Sequence, residues 1–320
     1  MSICIPTYNR DTILYDLLNK IIKFKSEEIE IVISDNASVD NTKELVESIK
    51  DDRIKYFRND KNLGFDGNIL KLVERANGEF LFFCGDDENP DIEAFPYILN
   101  IIKKQKNLST IVGSVGDKRS HKNKIPIMFN DRIYKGGAES LIELGFNIHF
   151  LTGLVIKKEP LNINQAKEFI GCTYMQQVLM TQAMMAGDTL CSSKIFWNYW
   201  DNSVSTTIRM IKPYCNGQSY YHPLSRLSQL EDRIFIINKM LSHLPKVQKI
   251  LLNRVKSEIG ERLVIIIINN PKIFLSKIFI FINIISRMNV LFSLEFWKAF
   301  IKNSFNFFLT RYIWRKNNIN

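Results

Sequence analysis

Residues 81–90 read LFFCGDDENP. An apolar run and Cys84 lead through Gly85 straight into Asp86, Asp87 and Glu88, with Pro90 close behind. Such a run belongs to a buried strand. Adjacent carboxylates at its mouth repel each other and stay ionised only where a cation or strong donors compensate. By itself a DDE tripeptide is a solvated turn capping the helix that starts near Asp91; its position at the end of a strand turns the reading toward a bound cation.

Upstream of this stretch the chain alternates between two periods. SICI (2–5) reads as a short apolar strand, and in residues 10–24 Ile13, Leu14, Leu17, Leu18, Ile21 and Ile22 form one helical stripe. EIVIS (30–34) is a second strand, and Asp40 opens a helix carrying Leu45, Val46 and Ile49. RIKYF (53–57) is a third strand, 62–78 a loop and helix ending at Gly78, and EFLFFC (79–84) a fourth strand. This rhythm predicts a parallel sheet covered by helices on both faces.

Open parallel sheets bind ligands beyond the carboxyl ends of their strands. Each predicted strand runs into a polar cluster there: PTYNR (6–10), SDNASVDNT (34–42), RNDKNLG (58–64) and GDDE (85–88). Asn9, Arg10, Asp35, Asn36, Asp40, Asp86 and Asp87 are therefore expected along one rim. With neither His nor Cys supplying a soft ligand, the Asp86–Asp87 pair suits a hard ion, Mg²⁺ or Mn²⁺, that shares its shell with substrate phosphates. Cys84 reads as core packing in a strand.

The chain has 320 residues, 46% of them hydrophobic, enough for a substantial core. Its five cysteines (4, 84, 172, 191 and 215) contain no CxxC pair, so neither a disulfide framework nor a zinc knuckle is indicated and a reducing cytoplasm is expected. No charged-then-apolar leader precedes the first strand. The net charge of +10 is lopsided: residues 1–200 balance at 25 − 27 = −2 and residues 201–320 at 18 − 6 = +12. Such a split points the tail toward an anionic surface, or else marks a basic outer face with no partner.

From residue 228 onward apolar residues recur at helical spacing in two long stretches. Beyond them, 273–288 and 296–314 mix Phe, Trp and Ile with regularly placed Lys and Arg. Pro271, Lys272, Lys277 and Arg287 interrupt every apolar run, so no membrane span is expected. Helices lying in a membrane interface fit the pattern; a helical subdomain packed on the rest is the alternative. The expected division is the α/β domain over 1–205 and a basic, aromatic, membrane-associating region over 206–320.

The segments SICIPTYNR, EIVISDNASVDNT, NLGFDGN and GEFLFFCGDDE, in this order and spacing, resemble the nucleotide-sugar-binding half of family 2 glycosyltransferases. The SDNAS and GDDE variants are most similar to bacterial O-antigen and polysaccharide transferases of the abequosyltransferase-like type. The resemblance covers residues 1 to about 100 and continues as an outline to about 200. It implies the GT-A fold: a Rossmann-like, mostly parallel sheet with helices on both faces, here followed by a helical, basic C-terminal region.

It further implies a nucleoside-diphosphate sugar donor, a saccharide acceptor carried on polyprenyl diphosphate, and a place on the inner face of the cytoplasmic membrane. Pro6, Thr7, Tyr8, Asn9 and Arg10, with Asp35 and Asn36, would hold base and ribose. Asp40, Gly64 and Asn68 would line the donor pocket, and Asp86 with Asp87 would contact ribose and the metal on the diphosphate. Two positions depart from the family pattern: Cys84 stands where an acidic residue is usual, and Gly67 where many members are basic.

The family's inverting transfer needs a base, commonly in a Glu-Asp pair opening a helix after the acceptor-side strand. Here the strand is expected at 150–156 and the helix at 173–187, and Gln176 and Gln177 occupy the pair's positions. Glu168, Asp188 and His149 are substitutes by neighbourhood only. Other classes stay open: a nucleotidyltransferase, although PTYNR lacks the glycine-rich loop, and a non-catalytic nucleotide-sugar-binding homologue. Nucleic acid is not expected as a partner, for the tail carries no groove-reading or stacking module.

Overall fold

The computed structural model describes residues 1–116, 127–148, 150–172, 174–198, 222–269, 278–288 and 293–304. The chain forms two compact units, Met1–Ser205 and Thr206–Asn320.

The first unit opens as the sequence rhythm predicts. Strand β1 (Ser2–Thr7) leads to helix α1 (Asp11–Ile21), β2 (Glu30–Asp35), α2 (Thr42–Ser48), β3 (Ile54–Arg58), α3 (Gly64–Arg75) and β4 (Phe80–Phe83). β1 lies between β2 and β4 and is parallel to both, while β3 extends the parallel run beyond β2. Leu14, Leu17, Leu18 and Ile21 of α1 are buried against the sheet residues Ile3, Ile5, Ile31 and Ile33. This is the apolar stripe of spacing three and four that seals one sheet face. Helix α2 starts two residues later than its acidic residue, since the Asp40 carboxylate accepts from the Thr42 N–H and hydroxyl instead of entering the helix.

Beyond β4 the sheet becomes mixed. The remaining elements are β5 (Asn89–Pro90), α4 (Ala94–Lys104), β6 (Leu108–Gly116), β7 (Arg132–Tyr134), α5 (Ala138–Glu143), β8 (Leu154–Lys157), α6 (Ile163–Lys167), α7 (Met175–Ala186) and β9 (Asp188–Asn198). The order is β3-β2-β1-β4-β8-β6-β9-β5, with β7 paired on β9. β8 is antiparallel to both β4 and β6, and β6 is parallel to β9, so β9 again points the same way as β1. At Gly113 of β6 an added Cβ would lie 1.9 Å from the Phe196 ring, so the close approach of β6 to that side chain requires glycine.

The order places a topological switch point between β1 and β4. The chain winds outward through β2 and β3 on one side of β1 and returns on the other, which opens a crevice above the carboxyl ends of β1 and β4.

In the second unit, α8 (Pro223–Met240) packs on α9 (Pro245–Asn269), and α10 (Ile278–Arg287) packs on α8. Pro223 sits in the first turn of α8, and the His222 Nδ1 accepts from the Leu224 N–H to cap it. The buried Arg233 reaches across to Glu258 of α9, which also pairs with Arg262. A further helical stretch covers 294–304. Among the described residues no helix is long and apolar enough to cross a membrane.

Candidate active site

The switch-point crevice is where the acids of the GDDE stretch arrive. β4 ends at Phe83, Cys84 donates its N–H to the Cys4 carbonyl, and the chain then turns at Gly85. The Gly85 N–H is held by the Thr152 hydroxyl, and Gly153, at a φ of 81°, donates to the Phe83 carbonyl. That left-handed conformation favours glycine. The GDDE turn is thereby pinned from the loop before β8.

Arg10, immediately after β1, meets the acids from the other side. Its Nη1 lies 2.6 Å from Asp86 Oδ1 and 2.6 Å from Asp87 Oδ2. The Asp86 side chain is 8% exposed, that of Asp87 38%, and that of Arg10 13%. Burial pushes the Asp86 carboxyl up to about 6, and the neighbouring Asp87 adds to this while Arg10 and Thr7 oppose it. Burial disfavours the Arg10 charge too, but Asp86 and Asp87 more than offset it and hold the guanidinium above its ordinary value. One guanidinium thus faces two carboxylates, leaving the cluster short of positive charge.

Cys84 takes no part in a metal shell. It is fully buried, and burial together with Glu88 and Asp86 raises its thiol well above the usual range. A neutral thiol is a poor ligand for a hard ion. The oxygen-only pair Asp86 and Asp87 fits Mg²⁺ or Mn²⁺ completed by water and phosphate oxygens, on condition that the guanidinium between them gives way. Among the described residues no group of three His, Cys, Asp or Glu side chains is gathered to hold a metal by protein alone.

The rim left of this centre is a tight polar weave. Pro6 and Thr7 belong to buried β1, whereas Tyr8 projects as an exposed aromatic. Asn9 (φ 51°) and Ala37 (φ 67°) are left-handed without being glycine, a strain that accumulates at functional loops. The Asn9 N–H donates to the Ser38 hydroxyl and its Oδ1 accepts from the Val39 N–H, which binds the loop after β1 to the loop after β2. Asp40 clasps the same loops by accepting from the Asp11 N–H.

Several expected donor contacts are occupied within the protein. Asp35 is buried; its Oδ1 accepts from the Ser38 N–H and hydroxyl, and its Oδ2 accepts from the Tyr56 hydroxyl at 2.6 Å. Burial and this carboxylate hold the Tyr56 phenol well above its ordinary value. Asn36 spans Asn59, Asn62, Leu63 and Gly64, and buried Asn68 joins Ser34 to Asn59. In this structure Asp35, Asn36, Asp40 and Asn68 are tied up within the rim, while Arg10, Asp86 and Asp87 pair with one another and Tyr8 stays exposed. Ser38, Tyr56 and Thr152 share in this framework without having been foreseen: Ser38 meets Asp35 across a turn, and Tyr56 and Thr152 reach partners in other elements.

The substitutes for a base separate clearly. Thr189 is level with Leu81 through the pairings Thr189–Thr110, Thr110–Ile156 and Ile156–Leu81, so Asp188 starts β9 at the edge opposite the crevice. That is roughly 16 Å along the strands from the GDDE turn. Asp188 instead accepts from the Gly136 N–H and pairs with Lys135; these interactions outweigh burial and lower its pKa. In this structure Asp188 anchors the turn at Lys135 and Gly136. Glu168 is an exposed residue closing α6, next to the Lys167 that pairs with Glu74. His149 lies outside the described residues. Gln176 and Gln177 lie in the first turn of α7 and are both buried; Gln177 donates to the Ile148 carbonyl.

Fold and site together define a GT-A-type α/β domain whose crevice is built around an acidic pair. Among solved structures, S. aureus TarS 1-349 in complex with UDP-GlcNAc aligns with a TM-score of 0.59 at 18% identity, over 79% of this chain and 71% of that one. Residues 2–157 match the family described as Glycosyl transferase family 2, and this part of the chain is a family 2 glycosyltransferase domain.

The chain is 31% identical over 199 residues to abequosyltransferase RfbV of Salmonella typhimurium, covering 56% of this chain and 60% of that protein. It is 29% identical over 163 residues to the GalNAc(5)-diNAcBac-PP-undecaprenol beta-1,3-glucosyltransferase of Campylobacter jejuni, covering 45% and 53%. The matched segments thus span less than two thirds of these relatives' own lengths.

Proposed function

We propose that this protein transfers a sugar, with inversion, from a nucleoside-diphosphate donor to a saccharide carried on polyprenyl diphosphate, in the building of a bacterial surface polysaccharide. The observation that carries this reading is the meeting of Arg10 with Asp86 and Asp87 at the switch point between β1 and β4. The two relatives named above carry a glycosyltransferase name, and one of them names an undecaprenol-linked saccharide.

The leaving group of such a transfer is a nucleoside diphosphate, and charge builds on it as the glycosidic bond breaks. Arg10 would face that charge. Asp86 and Asp87 would hold Mn²⁺ or Mg²⁺, which supplies Lewis-acid stabilisation of the departing diphosphate. Tyr8 offers an aromatic face at the rim for the base, and the weave around Asp35 and Asn36 keeps that rim in shape. Measuring sugar release and transfer from UDP-, dTDP-, GDP- and CDP-sugars with Mn²⁺ tests the reading. Pyrophosphate formation from a nucleoside triphosphate would favour a nucleotidyltransferase instead.

One observation supports a second reading. Gln176 and Gln177 stand where the resemblance expects acids, and a carboxamide accepts no proton. Donor binding with no turnover across the panel would make the protein a nucleotide-sugar-binding homologue.

For the second unit we propose docking on the anionic inner face of the cytoplasmic membrane, beside the acceptor. Leu294, Trp297 and Ile301 are exposed along one face of the 294–304 helix, with Lys298 and Lys302 exposed beside them, and Phe279 and Ile282 are exposed on α10. Apolar and aromatic residues flanked by lysines suit an interfacial helix. Co-sedimentation with vesicles containing anionic lipid, comparing the full chain with Trp297→Ser/Ile301→Ser, is expected to show about tenfold weaker binding by the variant. Equal binding rules the face out.

A further inference from the structure

We infer that Arg10 is a built-in counter-cation that holds the Asp86–Asp87 pair closed to a divalent ion until a diphosphate arrives. The inference rests on the reading of the crevice as the donor site and adds an order of events to it. A single nitrogen, Nη1, touches one oxygen of each carboxylate at 2.6 Å. The two oxygens therefore converge on one point, and an ion held between those two oxygens would have to displace the guanidinium nitrogen. Arg10 and the divalent ion compete for one seat.

Charge decides when the seat changes hands. Two carboxylates and one guanidinium sum to −1, and an incoming divalent ion alone would bring the cluster to +1. Asp86 and Arg10 are both largely shielded from water, so an excess of either sign is poorly screened. A diphosphate supplies the missing negative charge and a new partner for the guanidinium. Among the described residues no hydrogen bond engages the Arg10 Nε or Nη2. The planar fork thus keeps donors for phosphate oxygens while its Nη1 is on the acids. By linkage, diphosphate and divalent ion each raise the other's affinity, and Arg10 sets part of that coupling.

The test is Mn²⁺ binding to the full chain, followed by electron paramagnetic resonance or calorimetry, with and without UDP, GDP, dTDP or CDP. Without nucleotide, Arg10→Met is expected to bind Mn²⁺ about tenfold or more tightly than the unaltered protein, and the gain in Mn²⁺ affinity on adding nucleotide is expected to shrink. Arg10→Lys, which keeps the charge but reaches one carboxylate, is expected to bind about threefold more tightly, and it serves if the methionine variant does not fold.

Nucleotide-free Mn²⁺ affinity that is unchanged or weaker in these variants overturns the inference. The donor-site reading survives that result if nucleotide-dependent Mn²⁺ binding persists and is lost in Asp86→Asn. If no variant binds Mn²⁺ in any state, the inference and the metal assignment fall together, and the sugar-donor panel alone judges the transferase.

Discussion

Two arginine–aspartate clusters sit at opposite edges of the same half-sheet, and their arithmetic differs. At the lower edge, before β3, Arg53 grips the carboxylate of Asp51 through Nε and Nη2, with the exposed Lys25 3.8 Å from it, and spends its other bonds on the carbonyls of Ile22, Phe24 and Ser26. The hydrogen bonds from Arg53 draw Asp51 down to about 2. At the upper edge, after β4, Arg10 faces two carboxylates, and burial leaves Asp86 raised to about 6. The lower cluster closes a fold and the upper one is left wanting a cation. A buried carboxylate held above its ordinary pKa at a strand end, and not an ion pair as such, points to a site.

The contrast can be broken most strongly at Asp86. Asp86→Asn is expected to lower kcat for transfer by about 10³-fold or more, as loss of a group supporting the leaving-group charge does. Its stability should move the other way. Because the folded state holds the Asp86 proton more tightly than the unfolded chain, stability is lost as pH rises from 3.8 to about 6 and stays lost above. The asparagine variant escapes this loss, so it is expected to melt at or above the unaltered protein at pH 7.5 and to match it near pH 4. A fall in melting temperature at pH 7.5 with activity retained would erase the distinction between the clusters.

Asp51→Asn is the mirror experiment. A depressed folded-state pKa contributes stability that is present above 3.8 and is lost as pH falls toward about 2. The variant is expected to lose about 1–2 kcal/mol at pH 7, which is ~2–8 °C in a domain of this size, with kcat unchanged. The deficit should disappear in acid, which thermal melts across the pH range would show.

The smallest effect sharpens the comparison. Asp87→Asn leaves Arg10 with one carboxylate, as Arg53 has, and removes a charge that raises Asp86. The Asp86 titration is expected to move down by about half a pH unit, read by carboxyl NMR. No movement would place Asp87 outside the cluster.

The local patterns in the chain were sufficient for some of this. The stripe from Leu14 to Ile21 and the apolar run from Phe80 to Phe83 name their elements, because burial on one helix face or in a strand imposes its own period. Asp35, Asn36, Asp40 and Asn68 were legible as residues of a rim but not as its internal struts, since Tyr56, Ser38 and Asn59 reach them from other strands or across a turn. The all-buried β6 and long β9 were not anticipated at all. Asp188 looked close to the site on the sequence, yet it belongs to the far edge because β8 crosses antiparallel between β4 and β6.

What the sequence determined by itself is the alternation of strand and helix through residue 84 and the acids placed at its end, both consequences of local periodicity and charge. Only the tertiary structure decided that β4 lies beside β1 and that Arg10 and Asp86, 76 residues apart, share a hydrogen bond. Strand order is a property of long-range packing, and no run of neighbouring residues carries it.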